Sequence, residues 1–315
     1  MKILITPPFD SPIAPVMLRP EVFASILSSK GVQVVTDTKQ ADYELVGTWY
    51  LQPNGTYRLP ANRWIVVDGE PPQPEYLLPH YGENPFKAVF TPATKDVYKG
   101  DCMAFYEPPL QRRPSAIRWN RRICQLATYR TQGGNGMNYQ WQSGVTNGQA
   151  WQYRVLCVRR VTVGLDIREM RPELIDIYGR GWPPGIAVDN TRNRLDFLAV
   201  RHDTCRRYAF DLCWENMEIP NYVSEKFWSP VRMGVLPVYW GPAIFHDMLP
   251  DDTIVDCRGR SAKGILSEVE GMSFWEYRRR VSRLLDWYYE LPRDAHEKSW
   301  LRAAYHLAER LVGLQ

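Results

Sequence analysis

Short apolar runs recur between helical stretches, twice over and on either side of a proline-rich break, and this pattern constrains the chain more than any other feature. In the first half the runs fall at Lys2–Thr6, Val32–Val35, Tyr43–Gly47, Trp64–Val67 and Lys87–Thr91. Between the first two, Pro20–Lys30 sets Val22, Phe23, Ile26 and Leu27 at helical spacing and ends beside Gly31, which suits a helix C-cap. Strands alternating with helices build βαβ units and a mostly parallel sheet. Glu107–Ser115, with Pro108, Pro109 and Pro114, then reads as a linker.

A second series of strands follows at Ile123–Thr128, Leu174–Tyr178, Tyr208–Trp214 and Leu236–Trp240. A polar, Gly-rich loop spans Thr131–Gly148, and Trp151–Val163 has helical character. Another helix starts near Ser224, and two more, Ser273–Glu290 and Arg293–Leu311, close the chain. At 315 residues there is enough chain for two cores. The expected architecture is α/β: two Rossmann-like domains facing across a cleft, 1–117 and 118–315, with the closing helices attached to the second.

Composition narrows the function. A formal charge of +4 suits phosphorylated ligands but is no nucleic-acid footprint. Six cysteines contain no C-x-x-C pair, and Cys213 sits inside the apolar run FDLCW, so neither a zinc framework nor a disulfide scaffold is indicated. No apolar stretch reaches membrane-spanning length, and the N-terminal run stops at Pro7 and Pro8. A cytoplasmic protein is the expectation. There is no D-x-D, no P-loop, no G-x-G-x-x-G and no G-x-S-x-G, and the five histidines lack metal-ligand spacing.

Chemistry concentrates in Tyr208–Pro242, YAFDLCWENMEIPNYVSEKFWSPVRMGVLPVYWGP. An apolar strand delivers Glu215 and Asn216 to its end, where ligands of parallel sheets bind. After a turn, Ser224 can cap a helix whose first turn carries Glu225 and Lys226. Free backbone N–H groups and an ammonium then converge on one spot, a ready anion site. The plain alternative is a capped amphipathic helix with Lys226 in solvent. In the first half, WIVVDGEPPQP carries Asp68 and Glu70 to a strand's C-terminal end, before prolines that fix the loop.

The long segment resembles the donor-binding signature of the α1,3-fucosyltransferases: F-E-N, a short spacer, Y-[IV]-[ST]-E-K, then P-V-x-x-G. Here these positions read Trp214-Glu215-Asn216, Tyr222-Val223-Ser224-Glu225-Lys226 and Pro237-Val238-Tyr239-Trp240-Gly241. IDIYGRG at 175–181 is similar to the family's V-D-V-[FY]-G-[RQ]-G. Trp214 replaces the usual Phe, and Asp211 stands where animal members often have Tyr.

The resemblance implies a GT-B glycosyltransferase that is inverting, uses GDP-fucose as co-substrate and a glycan hydroxyl as acceptor, and needs no obligatory metal or other cofactor. It implies donor contacts from Asn216, Glu225, Lys226 and Tyr222, with Thr128 at the end of the strand that opens the donor domain. It also implies a diphosphate-binding Arg on the helix after that strand: Arg154 by position, with Arg159 and Arg160 as rivals. Tyr106 echoes a V-P-Y segment and would face the donor. Glu70 matches the Glu of an E-S-P strand end taken as catalytic base, with Asp68 as fallback. Without an anchor, the chain resembles the soluble microbial or viral type. Alternatives are another nucleotide sugar, a non-glycan acceptor such as modified DNA, or an inactive carbohydrate-binding protein.

Overall fold

The computed structural model describes residues 1–5, 20–46, 58–67, 87–90, 103, 106–114, 118–130, 138–142, 150–190 and 196–314. The first half holds β1 (Lys2–Ile5), α1 (Pro20–Ser29), β2 (Gln33–Val35), β3 (Tyr43–Val46), β4 (Trp64–Val67) and β5 (Ala88–Phe90). These strands are parallel, in the order β2-β1-β3-β4-β5. Gly31, just past α1, has φ +78°, the left-handed conformation that ends a helix without a Cβ penalty.

In the second half β6 (Ile123–Leu126) is followed by a hairpin of β7 (Asn138–Gln142) and β8 (Ala150–Val155), then α2 (Cys157–Met170). Next come β9 (Ile175–Tyr178), β10 (Ala187–Asp189), α3 (Phe197–Cys205), β11 (Phe210–Leu212), β12 (Met217–Glu218) and α4 (Glu225–Arg232). The chain finishes with β13 (Leu236–Tyr239), α5 (Ala243–His246), β14 (Val255–Asp256), α6 (Ala262–Gly271), α7 (Phe274–Glu290) and α8 (Ala295–Val312).

The second main sheet is parallel in the order β10-β9-β6-β11-β13-β14. Counted within that sheet alone, the strands run 3-2-1-4-5-6, the dinucleotide-binding Rossmann order. The order reverses between β6 and β11, so the crevice beyond their carboxyl ends is where such a sheet takes a ligand. The two parallel α/β units expected from the alternating pattern are both present.

Two expectations change. The segment read as the start of a helix at Trp151 is strand β8, antiparallel to β7 and β12, and the helix begins at Cys157. AWQYRV and NYQWQ alternate aromatic or aliphatic with polar residues, a period of two that suits a hairpin. Arg154 therefore lies on a strand, in register with Asn138 and Glu218, and the helical arginines are Arg159 and Arg160.

The second change concerns α8, which packs on the first sheet although the pattern grouped it with the second unit. Trp300, Ala303, Ala304, Leu307, Ala308 and Leu311 share a core with Ile3, Phe23, Leu27 and Ile65. Their spacing makes one helical stripe, and the alanines let the helix approach α1 closely. Trp300 is fully buried there, so Trp300→Ala should cost about 3–5 kcal/mol of unfolding free energy. A urea titration checks this; a loss below about 1 kcal/mol would mean that α8 is not part of the first core.

Candidate functional site

The carboxyl end of β11 runs into Glu215, which is fully buried. A carboxylate held out of water must be hydrogen-bonded or paired. Ser224 supplies two donors, its N–H at 2.9 Å and its hydroxyl at 2.6 Å, and the Tyr239 hydroxyl on β13 adds a third at 3.2 Å. Lys226 Nζ stands 3.8 Å away. Burial still raises the Glu215 pKa, with Lys226 and the Ser224 hydrogen bonds pulling it back.

The same Ser224 is the N-cap of α4. Its Oγ accepts from Lys226 N at 3.3 Å and from Lys226 Nζ at 2.9 Å while donating to Glu215. Lys226 Nζ also meets Glu225 Oε1 at 3.2 Å and lies 5.9 Å from the centre of the Tyr222 ring. Lys226 is only 5% exposed, which rules out the capped helix with a solvated lysine. Its charge is fixed beside the helix N-terminus by Glu215, Ser224 and Glu225.

A small pocket, open to solvent at its mouth, lies at the carboxyl ends of β6 and β9 against α4. Leu126 and Ala127 line it from β6, Gly179 from the turn after β9, and Glu225 and Lys226 from α4. Arg160 of α2 and Phe197 and Arg201 of α3 complete the lining. Gly179 has φ +122°, and a Cβ there would stand 2.1 Å from the Ala127 carbonyl oxygen, so only glycine lets the β9 turn close on the end of β6. Arg160 is buried and donates to the Trp214 carbonyl. The arrangement is a cationic recess at a sheet switch point, suited to a phosphorylated ligand.

Two of the expected donor contacts line this pocket, and others lie on the elements around it. Glu225 and Lys226 are at the pocket wall, and Thr128 follows Ala127 directly. Tyr222 is buried under Lys226. The Asn216 carbonyl accepts from Leu156 N at 2.9 Å and Cys157 N at 3.1 Å, fastening the start of α2 to the end of β11. Of the three arginine candidates, Arg160 lines the pocket, whereas Arg159 stacks 4.7 Å over the Trp240 ring. Tyr106 does not line the pocket. It is buried in the second unit's core, edge-on to Trp228 and Tyr288 at 5.0 and 5.8 Å, and burial pushes its hydroxyl pKa up to about 12. Asp68 and Glu70 lie outside the described residues; β4 ends at Val67, three positions before Glu70.

Sequence reasoning missed α3, because FLAVRHDTC has no apolar stripe, and with it Arg201. The available signal was Asp211, an acid inside a strand, which demands a buried cation. Cys124, Cys205 and Asp211 also bring donor atoms within 4.8 Å of one another. Burial keeps both thiol pKa values raised and Arg201 already pairs with Asp211, so this group is a hydrogen-bonded cluster ill-suited to a cation.

Residues 160–270 match a family model described as "Glycosyltransferase family 10 (fucosyltransferase) C-term". The matched segment is similar to fucosyltransferases. Over 92 residues the chain is 33% identical to GDP-fucose protein O-fucosyltransferase 3 of Danio rerio, covering 27% of this chain and 19% of that protein. It is likewise 33% identical over 92 residues to alpha-(1,3)-fucosyltransferase B of Drosophila melanogaster, covering 27% and 20%. The matched part thus spans about a fifth of these relatives' length. A crystal structure of alpha1,3-fucosyltransferase with GDP-fucose is similar at 14% identity and a TM-score of 0.42, over 92% of this chain and 81% of that one. The fucosyltransferase-like stretch opens at Arg160 and includes Arg201, Glu215 and Lys226.

His246 braces this network from behind. Its ring stacks on Tyr239 at 5.5 Å, and its Nε2 accepts from Gly241 N at 3.4 Å, a role open only to the neutral ring. Burial lowers its pKa from 6.5 to about 4, against the pull of Asp256. The unfolded chain therefore binds a proton that the folded one refuses. This contribution is intact above pH 6.5 and is lost as pH falls toward 4, to a limit of about 3 kcal/mol. Glu215 and Asp211, with raised pKa values, act in the opposite sense, so the comparison must be between variants. Thermal unfolding from pH 7 to pH 4 should show a smaller loss for His246→Gln than for the wild type; parallel curves would refute this role.

Proposed function

We propose that this chain is an inverting, metal-independent glycosyltransferase that moves fucose from GDP-fucose to a hydroxyl of a glycan acceptor. The supporting observation is the Glu215–Ser224–Lys226 anchor at the switch point of a Rossmann-order sheet, inside the stretch that matches the fucosyltransferase model. In this reading the donor's diphosphate sits at the N-terminus of α4. Lys226, Arg160 and the positive end of the α4 dipole stabilise the charge that develops as GDP leaves, the work a divalent cation does elsewhere. Glu70, beyond the end of β4, takes the acceptor's proton. The acceptor oxygen bonds to the anomeric carbon from the face opposite the diphosphate as the carbon–phosphate-oxygen bond breaks, which inverts that centre.

Among the described residues no helix is long and apolar enough to cross a membrane. Five described cysteines are free and buried, and a cytoplasmic setting belongs to the proposal. A second reading keeps the reaction and changes the donor. Trp214 packs against Trp240 in the core, but Asp211 acts on the pocket wall through Arg201, so a nucleotide sugar other than GDP-fucose is its specific rival.

One set of assays tests the reading: transfer and hydrolysis of GDP-fucose, UDP-sugars and CMP-sugars in EDTA. GDP-fucose should be consumed with the chelator present. Lys226→Ala should weaken donor binding and turnover together, since its charge faces the diphosphate in ground and transition states alike. Glu70→Gln should leave GDP affinity intact and lower kcat by about 10²–10⁴-fold, while Asp68→Asn does much less. Activity abolished by EDTA and restored by Mn²⁺, or unchanged in Lys226→Ala, would overturn it.

A further inference from the structure

Asp211 and Arg201 form an ion pair of unusual depth. Asp211 is fully buried on β11 and Arg201, on α3, is 2% exposed, with Nη2 at 2.9 Å from Oδ2. The same Nη2 donates to the Lys226 carbonyl at 3.1 Å. That carbonyl is open because Pro230, four residues on, has no N–H to return to it. Among the described residues, both hydrogen bonds of the guanidinium are thus made by one nitrogen. Nε of Arg201 and Oδ1 of Asp211 are buried with no hydrogen-bond partner among the described residues.

Burial costs the guanidinium more than any other single influence, yet the carboxylates of Asp211 and Glu225 oppose that cost. Stability alone does not explain the pair, because an apolar pair of similar volume packs as well or better. What distinguishes Arg201 is its place. It lines the same pocket as Arg160, Glu225 and Lys226, and it is tied to the first turn of α4 through the Lys226 backbone.

We propose that Arg201 is a further binding residue for the donor, giving the diphosphate a planar set of N–H donors next to Lys226, and that Asp211 is the positioning residue that holds it there. The inference rests on the donor-site reading given above and deepens it. Lys226 supplies a compact charge whereas Arg201 supplies geometry, and a fork of donors matches a diphosphate in a way it cannot match a neutral nucleoside. The pair would therefore set the preference for a nucleoside diphosphate over a nucleoside monophosphate.

Calorimetric titration of the full chain with GDP, GMP and guanosine tests this. The variant is Arg201→Gln with Asp211→Asn, which keeps a hydrogen-bonded pair and removes both charges. GDP affinity should fall about tenfold to a hundredfold while guanosine affinity stays within twofold, so that the margin of GDP over GMP shrinks. Unchanged GDP affinity overturns the proposal, and so does an equal loss for all three ligands, which would make Arg201 a structural brace only. A second measurement does not depend on that variant folding. With isotope-labelled arginine in the wild type, the Nε–H resonance that Arg201→Lys removes should shift on adding GDP and not on adding guanosine; an unmoved resonance also overturns the proposal. Failure of the underlying donor site looks different: the wild type would bind GDP no better than guanosine, Lys226→Ala would change nothing, and both readings would fall.

Discussion

Glu215 carries an ionisable carboxyl group into the interior at the end of β11, and the geometry of the pocket follows from how that group is satisfied. Desolvating a carboxylate costs several kcal/mol unless donors replace the lost water. The replacements come from three places: the Ser224 N–H, the Ser224 hydroxyl and the Tyr239 hydroxyl. Because two of the three belong to the N-cap of α4, the helix can start only where Glu215 receives them. Lys226 is then delivered to the pocket wall by the same serine that caps its backbone. A backbone link from Asn216 to Leu156 and Cys157 holds the start of α2, and hence Arg160, against the same strand end.

The elements around that anchor tighten it by ordinary packing. Phe227, Trp228 and Phe245 meet edge-on at 4.7–5.4 Å behind α4, so the helix rests on an aromatic bed with little freedom to slide. Glu107 in the proline-rich linker accepts from Ser229 Oγ at 2.5 Å and meets His202 Nε2 at 2.7 Å and Arg232 at 3.5 Å. The linker is therefore fixed to α3 and α4, the two helices that present Arg201 and Lys226.

All five parallel strands of the first sheet and four of the six in the second were legible in the chain, since each is a short apolar run bounded by a turn signal; β10 and β14, three and two residues long, carry no such run. The cap at Ser224 was legible because local chemistry alone dictates it: a serine followed by Glu-Lys. The β7–β8 hairpin was hidden behind a glycine-rich loop, and its period of two was taken for the start of a helix. Tyr106 was misplaced because a short motif says nothing of the Trp228–Tyr288 pair that receives it. Arg201 could not be found by local pattern at all. Its partner lies ten positions away on another element, and the two meet only once α3 packs over β11.

The most direct measurement is a crystal structure of the full chain with GDP, grown without divalent cations. The expected result is diphosphate density at the N-terminus of α4, within hydrogen-bond reach of Lys226 Nζ and next to Arg160. Diphosphate bound elsewhere on the second sheet, or at this place only through an added metal ion, would contradict the claim that Glu215 and Ser224 fold this segment into a metal-free anion site.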